Sequence, residues 1–187
     1  MGGDIVTQYW LALAFGVNLV AGSQPFPVRF VRSAIGRPVT VSIDGRLETT
    51  FAGKLGFQDA GRSWMSVCAD VRSPISQGQF FQVRAVSAGS VGGRIAAAGH
   101  IVARFFKSAQ TPDQCAGLQL AVWEVLEDGG QQPNFLAGHF QASATPAALE
   151  YAAEYYQAAN DDGDAIYLQT GNGQGGGGGQ GQLSTLT

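Results

Sequence analysis

Charge is scarce in this sequence: Asp, Glu, Lys and Arg supply only 13% of its 187 residues, about half the usual share. Lys and Arg number 11 against 14 Asp and Glu, a net charge of -3. With no basic stripe, nucleic acid is excluded as a natural partner, and so is a polybasic contact with membrane lipid. Cysteine is equally sparse. Cys68 and Cys115 are the only two, which rules out four-cysteine zinc sites and leaves one disulfide, two free thiols or other thiol chemistry. The two histidines, His100 and His139, lack the spacing of a zinc finger. No metal or cofactor is expected.

Long apolar runs are missing too. The longest, "YWLALAFGVNLVAGS", is too short to span a membrane. It has the length of a signal h-region and ends in small residues, yet the preceding "MGGDIVTQ" carries no positive charge, so it reads equally as a first buried strand. Catalytic and phosphate-binding motifs are also lacking. "GSVGG" has neither the context of a dinucleotide fingerprint nor a phosphate-loop Lys-Ser/Thr pair, and no Gly-x-Ser-x-Gly elbow occurs. "NDDGD" offers calcium-like oxygens without the twelve-residue EF-hand spacing and reads as a solvated turn.

What is present is 45% hydrophobic residues and 27 glycines, the profile of one compact, loop-rich, sheet-containing domain. "RPVTVSIDGRLETTFAGKLGF" alternates apolar and polar residues around Asp44-Gly45, a strong hairpin signal. "SWMSVCADV" alternates again. Trp64, Ser66, Cys68 and Asp70 point one way, and Met65, Val67, Ala69 and Val71 the other, the second set reading as the main core face. "SPISQG" turns the chain into the strand "QFFQVRAV".

The period then changes. Ile95, Ala98, Ile101, Val102, Phe105 and Phe106 recur at helical spacing. Thr111, Pro112 and Asp113 start a second helix that Gly129-Gly130 closes, and Thr145-Pro146 starts a third. "NFLAGHFQA" and "DAIYLQ" read as strands. Strands enclosing a cluster of helices predict an α+β fold, an antiparallel β-sandwich or barrel with helices inserted. The domain is expected over residues 1–169, with 170–187 a flexible Gly/Gln-rich tail.

Within the second helix Cys115, Leu118, Gln119, Val122, Trp123 and Leu126 share one apolar face. Gln119 is out of place there, because an unpaired buried amide costs roughly 1 to 3 kcal/mol. It is therefore exposed, hydrogen-bonded to a strand carbonyl, or chemically spent. The last option has a definite form: a cysteine thiolate attacks the carboxamide, expels ammonia and leaves a thioester. That chemistry needs a thiol held on the amide carbon, a polarised carbonyl and little water. Trp123, one turn after Gln119, and Trp64, on the Cys68 face, are candidate shields.

"LQLAVW" and "VCAD" also carry a family resemblance. Bacterial thioester domains of surface proteins combine a cysteine on an early strand with a later helix reading hydrophobic-Gln-x-x-hydrophobic and then an aromatic. Leu118, Gln119, Val122 and Trp123 match that pattern, and the segments "TTFAGKLGF", "SPISQGQFFQV" and "WEVLED" stand in the family's order over residues 37–169. The resemblance implies Cys68 as the thioester thiol, Gln119 as the acyl donor and Trp123 as the adjoining aromatic. It further implies a secreted or cell-surface monomer that is not an enzyme and that covalently captures an amine or hydroxyl nucleophile on a surface protein or glycan. The residues leave two rivals open: a Cys68–Cys115 disulfide in an inert structural β-sandwich of an envelope or matrix, and a bond within the helix between Cys115 and Gln119.

Overall fold

The computed structural model describes residues 24–60, 62–170 and 181–185; the N-terminal apolar stretch lies outside the described residues. Asp44 and Gly45 have positive φ of 51° and 80°, as a two-residue turn matched to the twist of its strands requires. They join β1 (Phe26–Ile43) to β2 (Arg46–Asp59), paired from Ile43↔Arg46 out to Arg29↔Gln58. Two register shifts interrupt this ribbon, between Phe30 and Arg32 and between Ser33 and Ile35, and such irregularities bend a strand. Gly36 faces Gly53 beside the second shift. A Cβ on Gly36 would lie 2.1 Å from the Ala52 carbonyl oxygen, so the backbones meet there only because both residues lack side chains.

The bend lets β1 serve two neighbours. Its first residues pair with β4 (Phe80–Ser87), from Phe26↔Val83 to Arg29↔Phe80, and its last four with β5 (Phe140–Ser143). With β3 (Arg62–Cys68), β6 (Ile166–Thr170) and β7 (Gln182–Ser184), the order is β2-β3-β7-β6-β4-β1, and the β1–β2 ladder closes the ring. The chain is thus α+β, with an antiparallel six-stranded barrel, β5 as an extra strand on β1, and four helices among the described residues.

One expectation fails here. Residues 170–187 read as a flexible tail, but Thr170 ends β6, and Gln182–Ser184 are a buried strand seated between β3 and β6. A glycine-rich composition says nothing about the residues just beyond it. Leu183 is wholly buried, and without this strand the facing edges of β3 and β6 would be left unpaired.

The helices are α1 (Ala88–Val91), α2 (Gly93–Phe105), α3 (Pro112–Glu127) and α4 (Pro146–Tyr156), the last continued by a 3-10 turn, Gln157–Asn160. Thr111 and Gln114 form a reciprocal capping box at the start of α3, and Thr145 caps α4, which fixes both starts where the Thr-Pro pairs predict them. Yet α3 has no single apolar stripe. Every residue from Cys115 to Val125 is buried. Ala116, Leu120 and Trp123 join the barrel core, while Cys115, Leu118, Ala121, Val122 and Val125 join a second core among the helices. A helix apolar all round belongs in the interior, and α3 lies between the barrel and α2 and α4.

Strand β3 likewise buries both faces. Cys68 and Trp64 face the barrel core, while Val67, Met65 and Ala69 pack with the helices; no one face of β3 is the main core face.

Gly117 is the contact point of α3 with α4. A Cβ there would sit 2.6 Å from Tyr151 Cβ and 2.9 Å from the Ala148 carbonyl oxygen. Alanine gains about 1 kcal/mol of helix propensity over glycine, but overpacking against atoms fixed to a backbone costs about 1 to 3 kcal/mol. Gly117→Ala is therefore expected to lower the urea midpoint at unchanged m-value. A midpoint at or above the parent's would show that α4 can retreat freely.

Candidate functional site

Successive residues of a strand turn their main-chain groups to alternate sides. At the end of β3, the Ala69 N–H donates to the Gly181 carbonyl at 2.7 Å, on the β7 side. The N–H and C=O of Cys68 therefore face the β2 side, where the β2–β3 register has already ended at Leu55↔Ser66. The Gln119 side chain takes the vacated place. Cys68 N–H donates to Gln119 Oε1 at 2.7 Å, and Gln119 Nε2 donates to the Cys68 carbonyl at 2.7 Å. One carboxamide offers the same acceptor and donor as a peptide unit, so a helix side chain extends the ladder by a rung.

Of the three fates open to Gln119, exposure is thereby excluded: the residue is 1% exposed. Its carbonyl carbon is held on the residue that carries the thiol, and its oxygen is polarised by that residue's own N–H. Two rigid elements hold the pair, a barrel strand and the central helix.

The Cys68 thiol is itself placed. It donates to the Asp70 carbonyl at 2.8 Å and accepts from the Asp70 N–H at 3.3 Å. Burial pushes the thiol up to about 12, opposed by the Asp70 main chain and by the Trp123 and Gln182 side chains, whose N–H groups favour the thiolate. The Trp123 indole N–H makes no hydrogen bond of normal geometry, so its support for the sulfur is longer-range. The Trp123 ring packs edge-on to Phe140 at 6.2 Å between centroids, within the core that holds Cys68. Trp64 is half-buried and stacked on Phe57, packed against the same core.

Cys115 stands elsewhere. Both cysteines are free and buried, but the Cys115 thiol donates to the Ala109 carbonyl at 3.3 Å within the helical core. The disulfide expected as the rival reading is not formed, and the amide one turn along the helix is turned to Cys68 rather than to Cys115. The two histidines also lie apart from this cluster: His100 contacts the Ala159 carbonyl, and exposed His139 contacts Asp44. No group of three or more metal-ligating side chains occurs among the described residues, and none of their helices is long and apolar enough to cross a membrane.

Three polar residues went unseen in the sequence. Gln182 is 2% exposed, is the register partner of Cys68, and accepts a hydrogen bond from Ser66 Oγ at 2.9 Å. Its signal is hidden at the edge of low complexity. Lys54 is 3% exposed, with its ammonium on the Ala109 carbonyl at 2.6 Å and over the Phe106 ring at 4.5 Å. It looks like an ordinary polar position in an alternating strand. The third, Glu124, accepts from the Asn134 N–H at 2.8 Å, and burial raises its carboxyl above the usual range.

No family model, curated protein or solved structure matches the chain.

Gln119→Met keeps the bulk of the side chain and strands both main-chain groups of Cys68 in the interior, a loss of about 2 to 4 kcal/mol in unfolding free energy. In that variant Cys68 has no amide to react with. Its folded thiol lies near 12 and its unfolded one at 9.0, so the stability it contributes is complete below pH 9 and is lost as pH rises toward 12. Between pH 9 and 10 the Gln119→Met chain should lose on the order of 1 kcal/mol more than Gln119→Met/Cys68→Ala. Parallel urea-derived curves for the two would mean that the thiol ionises freely when folded.

Proposed function

We propose that this chain is a thioester domain, in which Cys68 and Gln119 form an internal thioester that captures a nucleophile on a target surface. A single observation carries this reading: the Gln119 carboxamide is docked on Cys68 itself by two 2.7 Å hydrogen bonds, out of water. In the proposed reaction Cys68 Sγ attacks Gln119 Cδ, the Cδ–Nε2 bond breaks, and the thiol proton leaves with the nitrogen as ammonia. The Cys68 N–H that holds Oε1 stabilises the charge gathering on that oxygen. The Cys68 carbonyl orients the departing nitrogen. Trp123 and the apolar core around it limit hydrolysis of the product.

The thioester then acts once as an acyl donor. An amine or hydroxyl attacks the same carbon, the C–S bond breaks, and the proton passes to the sulfur. Cys68 ends β3, with half-buried Asp70 and exposed Arg72 just beyond it, and the nucleophile approaches from that end. The reading places the domain, as a monomer, outside the cell or on its surface, where a protein or glycan of a host or neighbouring cell supplies the nucleophile. It requires no cofactor and has no turnover, so the domain is a reactive binding module and not an enzyme.

An inert structural domain draws on the same two hydrogen bonds, which satisfy the amide without chemistry. Intact mass separates the readings. The thioester chain is lighter than its sequence by one ammonia, and methylamine should restore a free Cys68 thiol and leave Gln119 as its methylamide. Cys68→Ala and Gln119→Met should each show the full sequence mass and no labelling. A parent chain at full sequence mass, freshly folded and never exposed to amine, would overturn the proposal.

A further inference from the structure

Two buried members of the barrel core, Val71 and Phe135, come from connecting segments; every other one lies on a strand or a helix. Each is the one buried residue of its stretch, Val71 within 69–79 and Phe135 within 129–139. Val71 follows Cys68 by three residues. Phe135 is set where β5 meets the last turns of α3: its carbonyl accepts from the Ala142 N–H at 2.9 Å, and the Asn134 N–H before it donates to Glu124 Oε1 at 2.8 Å, next to Trp123. The two stretches are also fastened to each other. Arg72, beside Val71, donates to Asp44 Oδ2 at 2.9 Å and to Glu127 Oε2 at 2.6 Å. The other oxygen of Asp44 meets His139 Nδ1 at 2.9 Å, and the Asp44 N–H donates to the His139 carbonyl at 2.9 Å. Arg72, Asp44 and His139 are all exposed. Gly129 and Gly138 bracket the Phe135 stretch at φ of 62° and 117°, turns that glycine makes without steric cost.

We propose that these two loops form a gate over the Cys68 end of β3, with Val71 and Phe135 as its plugs and Arg72 as the clasp that holds it shut. Its use in nucleophile capture rests on the thioester reading; its control of access to Cys68 does not. The gate reconciles two demands on one site. The sulfur and the Gln119 carboxamide lie out of water, yet a nucleophile has to reach them from the end where Asp70 and Arg72 leave the strand. In the closed state two apolar side chains exclude water from that end. Each loop withdraws only one buried side chain on opening, so the motion is local and leaves the strand ladders paired. Exposed ion pairs are weak and screened by salt. Arg72 therefore biases the gate toward closure without locking it, and its two partners, Asp44 at the hairpin turn and Glu127 at the end of α3, belong to rigid elements against which the loops move.

The test uses the full chain carrying Cys115→Ala, in which Cys68 is the one cysteine. Its intact mass sets the probe: a chain lacking ammonia is timed for cleavage by hydroxylamine, and one at full sequence mass for alkylation by iodoacetamide. Both probes are uncharged at neutral pH, so neither is drawn or repelled by the charge removed. Adding Arg72→Gln should speed the reaction about two- to fivefold at low salt, the worth of exposed ion pairs. The gap should close in about 1 M salt, where charges are screened within about 3 Å. Phe135→Ala, which removes a plug, should speed it at either salt concentration. Arg104→Gln is the control: it breaks the exposed pair that Arg104 of α2 makes with Asp161, on elements that carry neither loop, and should leave the rate unchanged. The gate is overturned by an unchanged rate in Arg72→Gln, by a gap that persists in salt, by an equal rise in Arg104→Gln, or by a folded Phe135→Ala chain no faster than its background. A salt-sensitive rise with a background chain at full sequence mass sinks the thioester and leaves the gate. No rise with a background chain lacking ammonia sinks the gate and leaves the thioester.

Discussion

The pairing of the Gln119 carboxamide with the main chain of Cys68 decides where the central helix can sit. Strand β2 stops pairing with β3 at Leu55↔Ser66, and in a dry interior the next exposed rung would strand an N–H and a C=O. A helix side chain fills that rung, so α3 is fixed on the barrel by polar geometry as well as by packing. Its other end is held too. Arg37 of β1 grips both oxygens of Asp113 at 2.5 and 2.9 Å, and Thr145, the cap of α4, donates to the same carboxylate. The guanidinium holds the Asp113 carboxyl below its usual range. With the first turn tied to β1 and the second to β3, rotation of α3 is prevented, and Trp123 is carried into the barrel core one turn beyond Gln119.

Lys54 and Cys115 show how the same helix keeps its second thiol out of play. Both side chains bond the Ala109 carbonyl in the short connection before α3. Burial lowers the ammonium below the usual lysine range and raises the Cys115 thiol. Neither change is offset by a carboxylate; the cation has one carbonyl and one aromatic face. A lysine depressed in this way destabilises the fold at neutral pH, and the penalty is relieved as pH rises from its folded value toward that of the unfolded chain. Cys115 sits in the helical core and Cys68 in the barrel core, so two thiols within one small domain do not meet.

Much of this architecture was legible because it follows from local chemistry. Asp44-Gly45 fixed the hairpin, the Thr-Pro pairs fixed two helix starts, and the odd glutamine on α3 pointed to a buried polar contact. The misses share a cause. A helix buried on all sides still shows a stripe when its small residues, Ala116, Ala121 and Gly117, are not counted as core. Strand β3 hides its second buried face behind Ser66 and Trp64. Strand β7 is three residues at the edge of a glycine run, and only the unpaired edges of β3 and β6, a property of the closed barrel, demand it. Long-range pairing of this kind leaves no periodic trace in a sequence.

Burial works on the proposed reaction in two directions. A thiol near 12 is ionised to about one part in 10⁵ at neutral pH, which would make it a poor nucleophile in solution. Holding thiol and carbonyl together is worth effective concentrations of about 10⁵ to 10⁸ M, enough to offset that deficit for a bond that has to form only once. The dry surroundings that suppress the thiolate also keep water from the product, and the Asp70 N–H, already on the sulfur at 3.3 Å, favours its charged form. A more acidic, more exposed thiol would attack faster and would lose its thioester faster. For a single-use acyl donor, persistence of the bond matters more than speed of its formation, and a buried Cys68 with the Asp70 N–H on its sulfur meets that requirement.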